Sequence, residues 1–170
     1  MIMNKKFIII FTIAILFATN LYAQNLSSYE GTWRYTNTST NEEFTIKLRK
    51  TVGQFSWGSE ECLVGAYLYK RNDTIVLDNM NMFNSNIEPD DMPILVFSNP
   101  IGLYVFDYGI ITRGKPKFVG GSLVLIREND GTVKLLWKLE DAKGAMLVGI
   151  NDVPRGFTIP SDVALLKVQE

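Results

Sequence analysis

The sequence predicts an all-β domain, an antiparallel up-and-down (meander) β-barrel of about eight to ten strands, preceded by a signal peptide. Apolar and polar residues alternate with a period of two along most of the chain, which marks strands with one face inward. Turn residues recur at short intervals, and helical spacing is nearly absent. Consecutive strands in a meander leave a first and a last edge exposed, and closure into a barrel removes both, so a barrel is preferred to a sandwich.

Residues 1–23 have the three-part pattern of a secretion signal. Lys5 and Lys6 form the positive segment, and Phe7 to Ala18 is an apolar run well short of the ~20 residues that span a bilayer. Leu21-Tyr22-Ala23 places cleavage before Gln24, and no cysteine follows that could carry a lipid anchor. The mature domain, residues 24–170, is then expected in the periplasm or outside the cell, with no stable membrane anchor once the signal is removed.

The first strand is expected over about Gly31 to Thr38, with Trp33 and Tyr35 on one face and Arg34 and Thr36 on the other. Phe44, Ile46 and Leu48 alternate with Thr45, Lys47 and Arg49 in the second, so a buried and a wet face lie side by side. A glycine-bearing loop with Phe55 and Trp57 follows, then a hairpin from Cys62–Lys70 through Arg71-Asn72-Asp73 to Thr74–Asp78. Residues 79–93, rich in asparagine and ending in Glu88-Pro89-Asp90-Asp91, read as a loop across one end of the sheet. Strands resume at about Ile94–Ser98, Leu103–Ile111 and Phe118–Arg127, separated by Asn99-Pro100 and Gly114-Lys115-Pro116. Asp130-Gly131 signals a hairpin into Val133, Leu135, Trp137 and Leu139, and short strands near Met146–Ile150 and Val163–Val168 close the chain.

Composition excludes several chemistries. The chain has no histidine and a single cysteine, Cys62, which rules out histidine relays, leaves zinc or copper sites without their usual ligands and forbids an internal disulfide. The whole chain carries a formal charge of −1, and losing Lys5 and Lys6 with the signal takes it to −3, which disfavours nucleic acid as a partner. No catalytic residue, metal site or cofactor is assigned. Asp90 and its acidic neighbours lack the spacing of a calcium loop and read as a solvated turn. A carboxylate-based hydrolase acting on carbohydrate needs a facing pair of acids, and no pair stands out among the 18.

Binding residues are easier to nominate. Trp33, Tyr35, Phe44, Tyr67, Leu135 and Trp137 share the inward face and could line a cavity for a small apolar ligand, or simply fill the barrel. Phe55, Trp57 and Asp90 lie in loops where they could contact a protein partner, a sugar ring or the ligand's mouth; alternatively the two aromatics cap the core. Cys62 reads as a small core residue, since no basic neighbour would activate it. The sequons Asn37-Thr38-Ser39 and Asn72-Asp73-Thr74 read as turns. The expectation is therefore a secreted, non-catalytic barrel that binds a small apolar ligand or a protein partner, against a carboxylate enzyme or a structural envelope protein.

Two resemblances accompany these readings. Gly31-Thr32-Trp33, opening the first strand, is similar to the lipocalin and calycin signature, in which the tryptophan plugs the closed end of a barrel. Tyr29-Glu30-Gly31-Thr32-Trp33, the run Leu63 to Tyr69, Leu136-Trp137-Lys138-Leu139 and Gly156-Phe157-Thr158-Ile159-Pro160 together resemble a family of unknown function, made of small secreted proteins from Gram-negative bacteria. That resemblance implies export and a barrel, and no catalytic residue.

Overall fold

Among the described residues nine strands form one sheet, and it closes on itself. The computed structural model describes residues 25–85, 87–98, 101–112, 114–140 and 155–169. The strands are β1 (Gly31–Asn37), β2 (Glu42–Phe55), β3 (Gly58–Arg71), β4 (Thr74–Asp78), β5 (Ile94–Ser98), β6 (Ile101–Thr112), β7 (Lys115–Arg127), β8 (Val133–Glu140) and β9 (Asp162–Lys167). Every pairing is antiparallel, and β1 meets both β2 and β9, so the sheet is a closed barrel. The signal segment, Asn99-Pro100 and the expected strand at 146–150 lie outside the described residues.

Nine strands fill eight places in the ring. β4 pairs with the Leu68–Arg71 part of β3, and β5 pairs with the Cys62–Gly65 part of the same edge. The two strands therefore lie end to end beside β3, with residues 79–93 looping out between them. Asn79 marks the departure: its backbone N–H donates to the Tyr67 carbonyl at 3.1 Å, and its side-chain oxygen accepts from the Tyr67 N–H at 2.7 Å. The looped-out segment contains short 3-10 turns at Met80–Asn84 and Pro89–Asp91. It lies against the outer wall of β2 and β3 rather than across an end of the barrel, with Met92 and Ile87 packed on Cys62 and Val64. Thr45, expected on a wet face, is likewise buried, with only 5% of its surface exposed.

The β2–β3 hairpin also differs from expectation. β2 continues to Phe55 and β3 restarts at Gly58, so Ser56 and Trp57 alone form the turn, and what reads as a loop is a long two-stranded arm.

Side chains fill the interior. Trp33, Phe44, Ile46, Tyr67, Leu135 and Trp137 are each 0% exposed. Phe44 sits at the centre, its ring 5.4 Å from Trp137, 6.1 Å from Tyr67 and 6.3 Å from Tyr69. Two segments close the ends, each hung on a tryptophan. At one rim the Trp33 indole donates to the Tyr29 carbonyl (2.8 Å), holding the 3-10 turn Leu26–Tyr29 with Leu26 and Tyr29 buried. At the other, the Trp137 indole donates to the Pro160 carbonyl (2.9 Å), holding the segment 155–161 with Ile159 buried. Both buried indoles thus find the acceptor that burial of an N–H demands.

Polar groups secure the second cap. Asp107 is completely buried, and its carboxylate accepts from the Gly109 N–H (3.0 Å) and the Thr158 N–H (2.7 Å). Lys117, opposite Asp107 across β6 and β7, donates to the Gly156 carbonyl (2.8 Å) and lies 5.0 Å from the centre of the Phe157 ring. The β6–β7 register shifts just beyond Asp107, and there the Tyr67 hydroxyl donates to the Phe106 carbonyl and accepts from the Tyr108 N–H. Burial pushes the Tyr67 phenol well above its ordinary range.

Candidate functional site

The inward residues nominated as a ligand cavity do come together. Trp33, Phe44, Tyr67, Leu135 and Trp137 belong to one core cluster, and Tyr35 packs against its edge. A cavity able to hold a ligand would leave water-reachable surface on its walls. These five side chains have none, so at their positions the barrel is a packed core.

The two loop aromatics lead to the outer wall. Phe55 stacks on Trp57 with ring centres 5.0 Å apart and planes within 6°. Phe97 on β5 meets both, at 5.1 and 6.0 Å, and then Tyr104 on β6 at 5.8 Å. Tyr104 stacks on Phe118 of β7 at 5.5 Å, and Phe118 meets Phe106 at 5.3 Å. Six rings from four strands and one turn therefore form a continuous ladder across the outside of the barrel.

Strand parity produces the ladder. In β5, β6 and β7, Ile94, Val96, Leu103, Val105 and Val119 point inward and are buried, while the alternate positions Phe97, Tyr104, Phe106 and Phe118 point outward. Gly120 stands opposite Tyr104 with open space where a side chain would be, so the tyrosine ring is free to lie over Phe118. The base of the ladder is held by Cys62, Val64, Met92 and Leu95. Burial pushes the Cys62 thiol up, so it remains a neutral packing group.

The ladder is not merely a roof for the core. Trp57 is 67% exposed and Phe118 49%. The acid beside the exposed ring is engaged: the Trp57 indole donates to the Glu60 carboxylate at 3.2 Å. Asp90 does not join the rings; it sits exposed on the Pro89–Asp91 turn, in the looped-out segment whose Ile87 and Met92 flank them.

Phe97, Tyr104, Phe106 and Phe118 were not singled out in the sequence, although a signal was present. Residues 94–97 and 103–106 are apolar on both parities, with Ile94, Val96, Leu103 and Val105 on one and Phe97, Tyr104 and Phe106 among those on the other. A barrel has one interior, so one of those faces had to be outside.

The fold and site together define a closed eight-position antiparallel barrel with a filled core and an aromatic outer wall. The chain belongs to a family of unknown function (DUF6705), which matches residues 2–168. No curated protein and no solved structure matches it.

Proposed function

We propose that this is an exported, non-catalytic binding protein, cleaved before Gln24, whose rigid barrel presents the aromatic ladder to a protein partner. The observation that carries the reading is the ladder itself: large rings placed outside a barrel whose interior is already filled. Contiguous exposed apolar surface is costly in a monomer and marks an interaction site. Large aromatic residues are also enriched at interface centres.

The geometry favours a protein over a sugar. Glycan platforms need ring faces open and flanked by hydrogen-bonding groups, whereas Phe55 and Trp57, and Tyr104 and Phe118, turn faces toward each other. What they present is an apolar ridge suited to aliphatic and aromatic side chains. A lipocalin-like relationship has support in the first rim, where Gly31-Thr32-Trp33 follows a 3-10 turn and Lys167 of the last strand lies over the tryptophan ring. The filled interior supports a scaffold role in place of a carrier's.

The test is site-specific photocrosslinking of the protein in the cells that produce it, with a benzophenone amino acid at position 118 or 57. A single adduct protein common to both sites, absent from a probe at exposed Thr36 and lost when the Phe118 probe is combined with Trp57→Glu, is the expected result. Equal crosslinking from Thr36, no adduct, or retention of the purified protein on polysaccharide or zwitterionic vesicles through Trp57 would overturn the reading.

A further inference from the structure

A different part of the arm carries a second inference. β1 pairs with β2 only from Glu42 to Leu48, so the seven residues Arg49–Phe55 have β3 on one side and no paired strand on the other among the described residues. Such an edge offers alternate N–H and C=O groups to any extended chain that reaches it. Proteins usually guard edges with a proline, a bulge or a charge.

Here those guards are missing or engaged elsewhere. The β2–β3 register runs from Glu42↔Arg71 to Phe55↔Gly58 without a shift, so the arm has no bulge, and it contains no proline. The Arg49 guanidinium lies 5.8 Å from the centre of the Phe83 ring, and the Lys50 ammonium is paired with Glu61. At the middle of the edge stands Val52, an apolar side chain 57% exposed.

We propose that a second copy of this chain pairs with this edge, β2 against β2, antiparallel about a two-fold axis at Val52. The sequence is compatible with itself in that register. Val52 faces Val52, Thr51 faces Gly53, Lys50 faces Gln54 and Arg49 faces Phe55, so an apolar pair sits on the axis and no like charges oppose. The contact is isologous: each edge satisfies the other, and the assembly stops at two chains. It also doubles the number of aromatic ladders presented by one particle: of the six rings only Phe55 lies in the paired segment, and Phe97, Tyr104, Phe106 and Phe118 stand on other strands.

Sedimentation of the mature protein, residues 24–170, tests this. The expected species has twice the monomer mass. Val52→Lys places two ammonium groups on the axis at an exposed position, and should give a monomer with an unchanged circular dichroism spectrum. Val52→Cys should form a disulfide-linked dimer on mild oxidation, because directly opposed strand residues lie about 4.5–5.5 Å apart, within disulfide reach. The native Cys62 is buried and should not interfere, and Thr36→Cys, exposed on another wall, should remain uncrosslinked. A protein that is monomeric at all concentrations overturns the proposal, as does a dimer that survives Val52→Lys or is lost instead on Phe118→Glu. A monomer would leave the ladder reading standing, since that rests on crosslinks to a different protein.

Discussion

The ammonium of Lys167 lies 5.3 Å from the centre of the Trp33 ring, and the two residues pair directly across β1 and β9. This contact joins the first strand to the last at the rim capped by the Leu26–Tyr29 turn, so it bears on closure of the barrel. Removing the completely buried Trp33 side chain should cost about 3–5 kcal/mol, combining lost transfer energy with a cavity. Lys167→Met keeps an apolar stem over the ring and loses the cation, a change of about 0.5–1 kcal/mol. Urea denaturation should show both effects in that order, and a Trp33→Ala protein with wild-type stability would refute the role.

Asp107 is a second point of closure. Its two oxygens hold the N–H groups of Gly109 and Thr158 in a fully buried setting. Asp107→Ala should leave two donors unsatisfied, at about 1–3 kcal/mol each, and loosen the 155–161 cap. Trypsin should then cut after the exposed Arg155 faster than in the wild type, with Asp107→Asn intermediate because its remaining carbonyl still accepts. Unchanged cleavage would mean that the cap is held by Lys117 and Trp137 alone.

The strand pattern was legible wherever one face is buried and the other wet. Phe44, Ile46 and Leu48 against Lys47 and Arg49 is such a case, because a slip of one residue would exchange the two faces. The shared lane of β4 and β5 was not legible, since it depends on the Asn79 side chain bonding to Tyr67, a non-local event that periodicity does not carry. The site was half legible. Phe55 and Trp57 were nominated as loop aromatics, but their ring partners lie in strands apolar on both faces, where alternation does not say which side is the interior. Lys167 carries no signal in the sequence, because its place over Trp33 depends on the pairing of the first strand with the last, which alternation does not encode.

Acid should act on the rim where β1, β2 and β3 meet. The Tyr69 hydroxyl donates to Glu42 at 2.6 Å, Thr40 to the other oxygen at 2.8 Å, and Arg71 adds an ion pair at 2.8 Å. Together, with the tyrosine bond largest, they hold the Glu42 carboxyl below its ordinary value. A carboxyl that titrates lower when folded lends its full support above the unfolded pKa, about 4.3, and loses it as pH falls through the folded value. The stability difference between wild type and Glu42→Gln should therefore be constant at neutral pH and shrink below about pH 4. A difference that persists unchanged into strong acid would show that the carboxylate charge is not what matters.

Trp57 offers a direct optical report on the ladder. The chain has three tryptophans; Trp33 and Trp137 are 0% exposed and hydrogen-bonded in the core, while Trp57 is 67% exposed at the tip of the β2–β3 arm. Iodide, a charged quencher that does not enter a packed interior, should reach Trp57 and spare the other two. Quenching should follow a two-population curve in the wild type, and the accessible fraction, with its red-shifted emission, should vanish in Trp57→Phe. That replacement keeps an aromatic ring beside Phe55 and so should leave the melting temperature nearly unchanged. A partner seated on the ladder would cover Trp57, shift its emission to the blue and remove iodide access, whereas a ligand entering the barrel would perturb Trp33 and Trp137 first. Quenching that is uniform across all three tryptophans, or that persists in Trp57→Phe, would contradict both the filled interior and the exposed ladder on which the binding proposal depends.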